Sequence, residues 1–174
     1  MEMLSYFSIE MTTAQFYGLF FLLGTFAVAA LSDLKKLAAQ REFFEVWLVF
    51  ILAMFFYDVY TKSDTNIFVL KWILIFAFAA LSSRETGVIF SLEIADIAAI
   101  SATAALLNPF YIVVYYIALW ITNRILTPVL SGALSGLKKK EYPFMPIVFT
   151  STAIVILVGL SGIFEKIVSY IPFL

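Results

Sequence analysis

Ser91-Leu92-Glu93-Ile94-Ala95-Asp96-Ile97-Ala98-Ala99-Ile100 places two carboxylates three residues apart inside an apolar segment that continues to about Leu107. The chain around it has 174 residues, 63% hydrophobic and 18% aromatic, with only 13% charged. Its mean hydropathy is +1.02. A soluble core of that size cannot bury so much apolar surface, so the long apolar runs read as membrane spans. An ionisable group at membrane depth costs roughly 2.5 to 3.5 kcal/mol on insertion scales and normally faces a wet or paired interior. Glu93 and Asp96 are candidate functional residues on that ground. Asp33, in Leu31-Ser32-Asp33-Leu34-Lys35-Lys36, is another, standing where the first apolar run ends.

Taking about 20 residues per span, the first runs from Thr13 to Ser32 and the second from Phe43 to Tyr60. A polar turn, Thr61-Lys62-Ser63-Asp64-Thr65-Asn66, separates the second from a third span over Ile67 to Leu81. Ser82-Ser83-Arg84-Glu85-Thr86-Gly87 closes the third. The fourth spans Val88 to Leu107 and breaks at Asn108-Pro109, because proline cannot continue the backbone ladder. The fifth covers Phe110 to Leu130, and the sixth begins near Pro143 with room to reach Tyr170. The pattern predicts an all-α, polytopic integral membrane helical bundle of about six transmembrane helices, or five if the short third segment is re-entrant. One membrane-embedded domain, 1–174, fills the chain.

Lys35, Lys36, Arg41, Arg84, Lys138, Lys139 and Lys140, seven of the eleven Lys and Arg, fall in the loops after spans one, three and five. The positive-inside rule then puts the N-terminus outside a multi-pass cell-membrane protein. Glu2 and Glu10 precede the first span with no Lys or Arg, the wrong charge for a cleaved signal peptide. In this frame Asp33 lies at the cytoplasmic edge, whereas Asp96 lies about 12 Å deep if its helix is regular from Val88. Either span four begins nearer Leu92, or the inner end of the bundle is a water-filled notch.

A net charge of −1 supplies no basic field for nucleic acid. The absence of Cys and His removes thiolate nucleophiles, Ser-His-Asp triads and nearly every zinc site. No metal or cofactor is expected. No lysine is read deep inside a span, which leaves Ser-Lys chemistry without its base. Carboxylates remain. Two Asp residues within about 3 to 5 Å cannot both ionise and share a proton. One can then activate a water while the other polarises a carbonyl. Bland readings stand beside this one: Asp33 as a helix-end cap or a charge solvated beside Lys35 and Lys36, Asp96 as a structural partner of Arg124, and Glu93 as a residue above a solvated loop. Arg124 can snorkel to the interface, and Lys138-Lys139-Lys140 reads as a topogenic run.

Three short motifs resemble the archaeal type IV prepilin and preflagellin peptidases, membrane aspartyl proteases of the Gly-x-Gly-Asp class. Ala30-Leu31-Ser32-Asp33-Leu34-Lys35-Lys36 is similar to the segment holding that family's first Asp. Ala95-Asp96-Ile97-Ala98-Ala99-Ile100, running to Asn108-Pro109, is similar to the segment of the second. Tyr142-Pro143-Phe144-Met145-Pro146 resembles the Pro-Phe-x-Pro opening of the last span. Glu93 and Ala95 stand where the family has glycines, and Ala98 where many members have lysine. The resemblance implies an aspartic endopeptidase that removes the short basic leader of pilin-like or archaellin precursors on the cytoplasmic side. Asp33 and Asp96 would be catalytic, and Glu93, Pro143, Phe144 and Pro146 would shape the site or bind substrate. The alternative from the residues alone is a small ion- or proton-coupled transporter or channel subunit using Glu93, Asp96 and Arg124.

Overall fold

A computed structural model of the chain describes residues 11–36, 41–61, 64–133 and 143–163. These residues form six helices: α1 (Thr13–Lys36), α2 (Arg41–Tyr60), α3 (Thr65–Ser82), α4 (Ile94–Leu106), α5 (Pro109–Ala133) and α6 (Met145–Ser161). The apolar runs supply the helices, and local chemistry sets their ends. Asp64 caps α3 by accepting the Asn66 N–H at 3.1 Å. Pro109 opens α5, where a missing N–H leaves no intrahelical bond unmade. Gly162, at φ 58°, ends α6 in the left-handed conformation that glycine adopts without strain.

Stretches in four of the helices, Thr13–Leu34, Glu42–Tyr60, Thr65–Ser82 and Pro109–Leu130, are long and apolar enough to cross a membrane. The chain is thus a membrane protein built as a helical bundle. The third helix, with 18 residues, is among those of spanning length. Two helices, α4 and α6, are shorter, about 20 Å and 25 Å at ~1.5 Å per residue.

The shortest helix is the central one. It packs against every other helix, α1, α2, α3, α5 and α6, and Ala98 through Leu106 are buried on all sides. Ala98, Ala99, Ser101, Ala102, Ala104 and Ala105 are small, which lets neighbouring backbones approach closely. Around it α1 packs on α6, α6 on α5, and α5 on α3. The α3–α5 contact includes Phe78 stacked on Tyr116, with centroids 4.0 Å apart. Trp47 of α2 is fully buried, donates its indole N–H to Thr25 Oγ1 at 3.1 Å and packs against Phe26, so it fastens α2 to α1.

Helix direction follows from the contacts at the two ends. Gln15, in the first turn of α1, donates from Nε2 to the Leu106 carbonyl at 2.7 Å and to Asn108 Oδ1 at 3.0 Å. At the other end of α1, Asp33 meets Met145, the first residue of α6. Both α4 and α6 therefore run antiparallel to α1, and both begin at the end where α1 finishes.

The structure corrects two boundaries. Span four does not begin at Val88: Ile89 N–H donates to Leu81 O and Leu92 N–H to Ser82 O, each at 3.0 Å, which holds this run against the end of α3. Gly87, at φ 56°, makes the turn that permits it. Helix α4 starts at Ile94, so Asp96 lies in its first turn and the depth mismatch with Asp33 disappears. The sixth helix breaks at Gly162 after Ser161; the expected continuation to Tyr170 falls on residues 164–174, which lie outside the described residues.

Gln15 ties the start of α1 to the end of α4. Gln15→Leu leaves the Leu106 carbonyl without that donor, at a cost of about 1 to 3 kcal/mol. The variant is expected to unfold at lower temperature than the unsubstituted protein when both are melted in detergent.

Candidate active site at one end of the bundle

The first N–H groups of a helix have no partner within it. At the start of α6, Phe144 occupies the cap position without a side-chain acceptor to offer. Asp33 supplies one from the last turns of α1: its Oδ2 accepts the Met145 N–H at 3.1 Å, and the Phe144 N–H is also directed at this carboxylate. Asp33 is only 7% exposed. Its bland reading, a charge solvated beside Lys35 and Lys36, does not describe it, although it does act as a cap for a different helix.

Asp96 is the third residue of α4 and is half-buried. Its carboxylate accepts the backbone N–H of Glu93, the N-cap residue, as the returning side chain of a capping box does. Asp33 and Asp96 lie near enough for Asp96 to feel the charge of Asp33. Two carboxylates from separate helices thus lie at the same end of the bundle, within reach of each other's charge, each held by N–H groups at the positive end of a helix dipole.

The other sequence candidates fall around this pair. Pro143 and Phe144 are buried and Pro146 is half-buried, and their segment forms the wall that bonds Asp33. The Phe144 ring meets Phe90 edge-on, with centroids 5.7 Å apart. The Glu93 side chain is 77% exposed and lies 3.8 Å from the equally exposed Arg84, a geometry that contributes little stability. Its charge nevertheless acts on both Asp33 and Asp96. Arg124 is exposed, lies over the Trp120 ring 5.4 Å from its centroid, and forms no ion pair with Asp96 or Glu93 among the described residues. The structural pairing of Asp96 with Arg124 is therefore not present. No three carboxylates among the described residues are grouped closely enough to hold a metal ion. Lys138 to Lys140 lie outside the described residues.

Sequence reasoning missed a second polar site near the opposite end of the bundle. Lys71, in the second turn of α3, is buried although it does not lie deep inside the span. Its Nζ donates to Asp58 Oδ2 of α2 at 2.7 Å, and the Trp72 indole N–H reaches the same oxygen at 3.1 Å. Phe55 and Phe68 pack against Trp72 around it. The readable signal is the mirrored placement of Asp58 and Lys71 about the turn at Asp64, which faces the two across a helical hairpin.

Comparison with known protein families, with curated proteins and with solved structures finds no match.

Removing one partner of a buried ion pair strands the other charge. Lys71→Met is expected to destabilise the protein by about 3 to 5 kcal/mol. The double variant Asp58→Leu, Lys71→Met should recover most of the loss, measured as thermal unfolding in the same detergent.

Proposed function

We propose that the protein is a membrane-edge aspartic endopeptidase in which Asp33 and Asp96 share one proton and one water. The observation that carries this reading is the meeting of these two carboxylates, brought from α1 and α4 to the same end of the bundle. The ionised member takes a proton from the water, whose oxygen attacks the scissile carbonyl carbon. The protonated member gives its proton to the carbonyl oxygen. When the tetrahedral intermediate collapses, the C–N bond breaks and the proton gained from water passes to the leaving amine. Helix N–H groups hold both carboxylates in place throughout, which favours a fixed geometry over one assembled at each turnover.

The loops at this end carry Lys35, Lys36, Arg41 and Arg84, so the positive-inside rule places the pair at the cytoplasmic face of the cell membrane and the N-terminus outside. The resemblance in the three motifs supplies the substrate class: a pilin-like or archaellin precursor with a short basic leader followed by an apolar helix. Pro143 and Pro146 support this reading, because they bracket the irregular entry to α6 against which Asp33 is held.

The transporter reading makes Glu93, Asp96 and Arg124 the working set and leaves Asp33 idle. Glu93 turned toward Arg84, and Arg124 over Trp120, give that set no common path.

Co-expression with a candidate precursor separates the two. Asp33→Asn and Asp96→Asn keep side-chain shape and lose acid-base chemistry, so each is expected to cut leader removal by at least about 100-fold while the protein still reaches the membrane. Glu93→Gln should retain cleavage. Normal processing by either Asn variant would end the peptidase reading.

A further inference from the structure

With Asp33 buried and Asp96 half-buried, a peptide bond reaches both carboxylates only if some bordering segment moves aside. Among the described residues, three segments carry or bond the pair beside α1 itself. The start of α6 is bonded to Asp33, and α6 packs along α1, so moving it would dismantle the site. Helix α4 carries Asp96 itself and is enclosed by its neighbours. The third is the strap of residues 83–93 between α3 and α4.

This strap is lightly held. Ser83 to Thr86 form a turn, Gly87 adopts φ 56°, and the chain then bends at Val88 and Ile89 and reaches an extended Glu93 without forming helix. Two backbone bonds, Ile89 N–H to Leu81 O and Leu92 N–H to Ser82 O, lay it along the last turn of α3. From Arg84 to Val88 it is exposed, while Phe90 and Leu92 are its buried residues. Phe90 sits edge-on against Phe144, the residue beside the N–H that binds Asp33, and the strap's last residue, Glu93, donates its N–H to Asp96. The strap therefore touches both sides of the carboxylate pair, resting on Phe90 and Leu92 and tied to α3 by two backbone bonds and by the Thr86 hydroxyl, which donates to the Ala80 carbonyl.

We propose that residues 84–92 are a lid, closed when Phe90 seats on Phe144 and lifted about the Gly87 turn to uncover Asp33 and Asp96, while Glu93 stays in place as the α4 cap bonded to Asp96. That the lifted lid admits a peptide rests on the peptidase reading; the motion does not. Gly87 has open space where a β-carbon would stand, so its requirement is conformational: it supplies the left-handed corner from which the strap folds back.

Ser82 provides a reporter. It is 1% exposed beneath the strap, with a buried hydroxyl that has no hydrogen-bond partner, and the chain has no cysteine. Ser82→Cys therefore introduces the sole thiol, and its modification rate by a water-soluble maleimide, in a lipid nanodisc, measures how often the strap lifts. Adding Phe90→Ala is expected to raise that rate at least fivefold, and adding Gly87→Ala to raise it as well, since an L-residue strains the closed corner. Equal rates with and without Phe90→Ala would overturn the lid. Phe90→Ala alone should also cleave precursor at least as fast as the unsubstituted protein. A tenfold loss of cleavage with no change in thiol modification would mean that Phe90 only packs, and would overturn it too. If the unsubstituted protein cleaves no precursor, the peptidase reading fails while the thiol rates still decide the lid.

Discussion

The bond from Met145 N–H to Asp33 is the contact on which the arrangement of this bundle turns. A helix start buried among apolar side chains needs an acceptor for its free N–H groups. Phe144 has none to give, and α1 delivers a carboxylate instead. That single requirement brings the start of α6 to the end of α1 and makes the two helices antiparallel. It also selects which end of the bundle becomes charged. An aspartate placed there is held by backbone N–H groups at the positive end of a helix dipole, which keeps its lone pairs oriented.

The central helix solves a related problem with small side chains. Between Ala98 and Leu106 no residue needs lipid, and the alanines let five helices close around one. Polar contacts fasten the ring where apolar surface alone does not discriminate between neighbours, since lipid tails are as apolar as leucine. Thr103 of α4, Thr152 of α6 and Tyr115 of α5 bring their hydroxyls within 3.5 Å of one another in sequence along a buried seam. Asp58 and Lys71 do the same for α2 and α3 with full charges. The charged end of the bundle and this second pair are thus built on different principles: one holds carboxylates by backbone N–H groups, and the other cancels charge outright.

Much of the helix order was readable because each apolar run ends in a residue that stops a helix for a known reason, as at Asn108-Pro109 and the turn before α3. The start of α4 was not. Val88 to Leu92 is apolar enough to pass for helix, and only its backbone bonds to Leu81 and Ser82 divert it into a strap, a tertiary effect that periodicity does not encode. The candidacy of Asp33 and Asp96 was legible from the cost of charge at membrane depth. Their meeting was not, since it depends on the antiparallel fit of α1 to α4 and on Gln15 closing the far end. Lys71 escaped notice because an apolar run containing one lysine reads as a span with a flaw until its partner across the hairpin is found.

Helix α6 has only 17 residues before Gly162 halts it, yet Ile154, Leu157 and Leu160 are exposed along its outer side. A side about 25 Å tall facing a hydrocarbon layer of about 30 Å leaves a shortfall that the lipid must absorb. Bilayers answer such hydrophobic mismatch by thinning locally. A bilayer thinned in this way would bring headgroups closer together beside α6 than beside the four helices of spanning length.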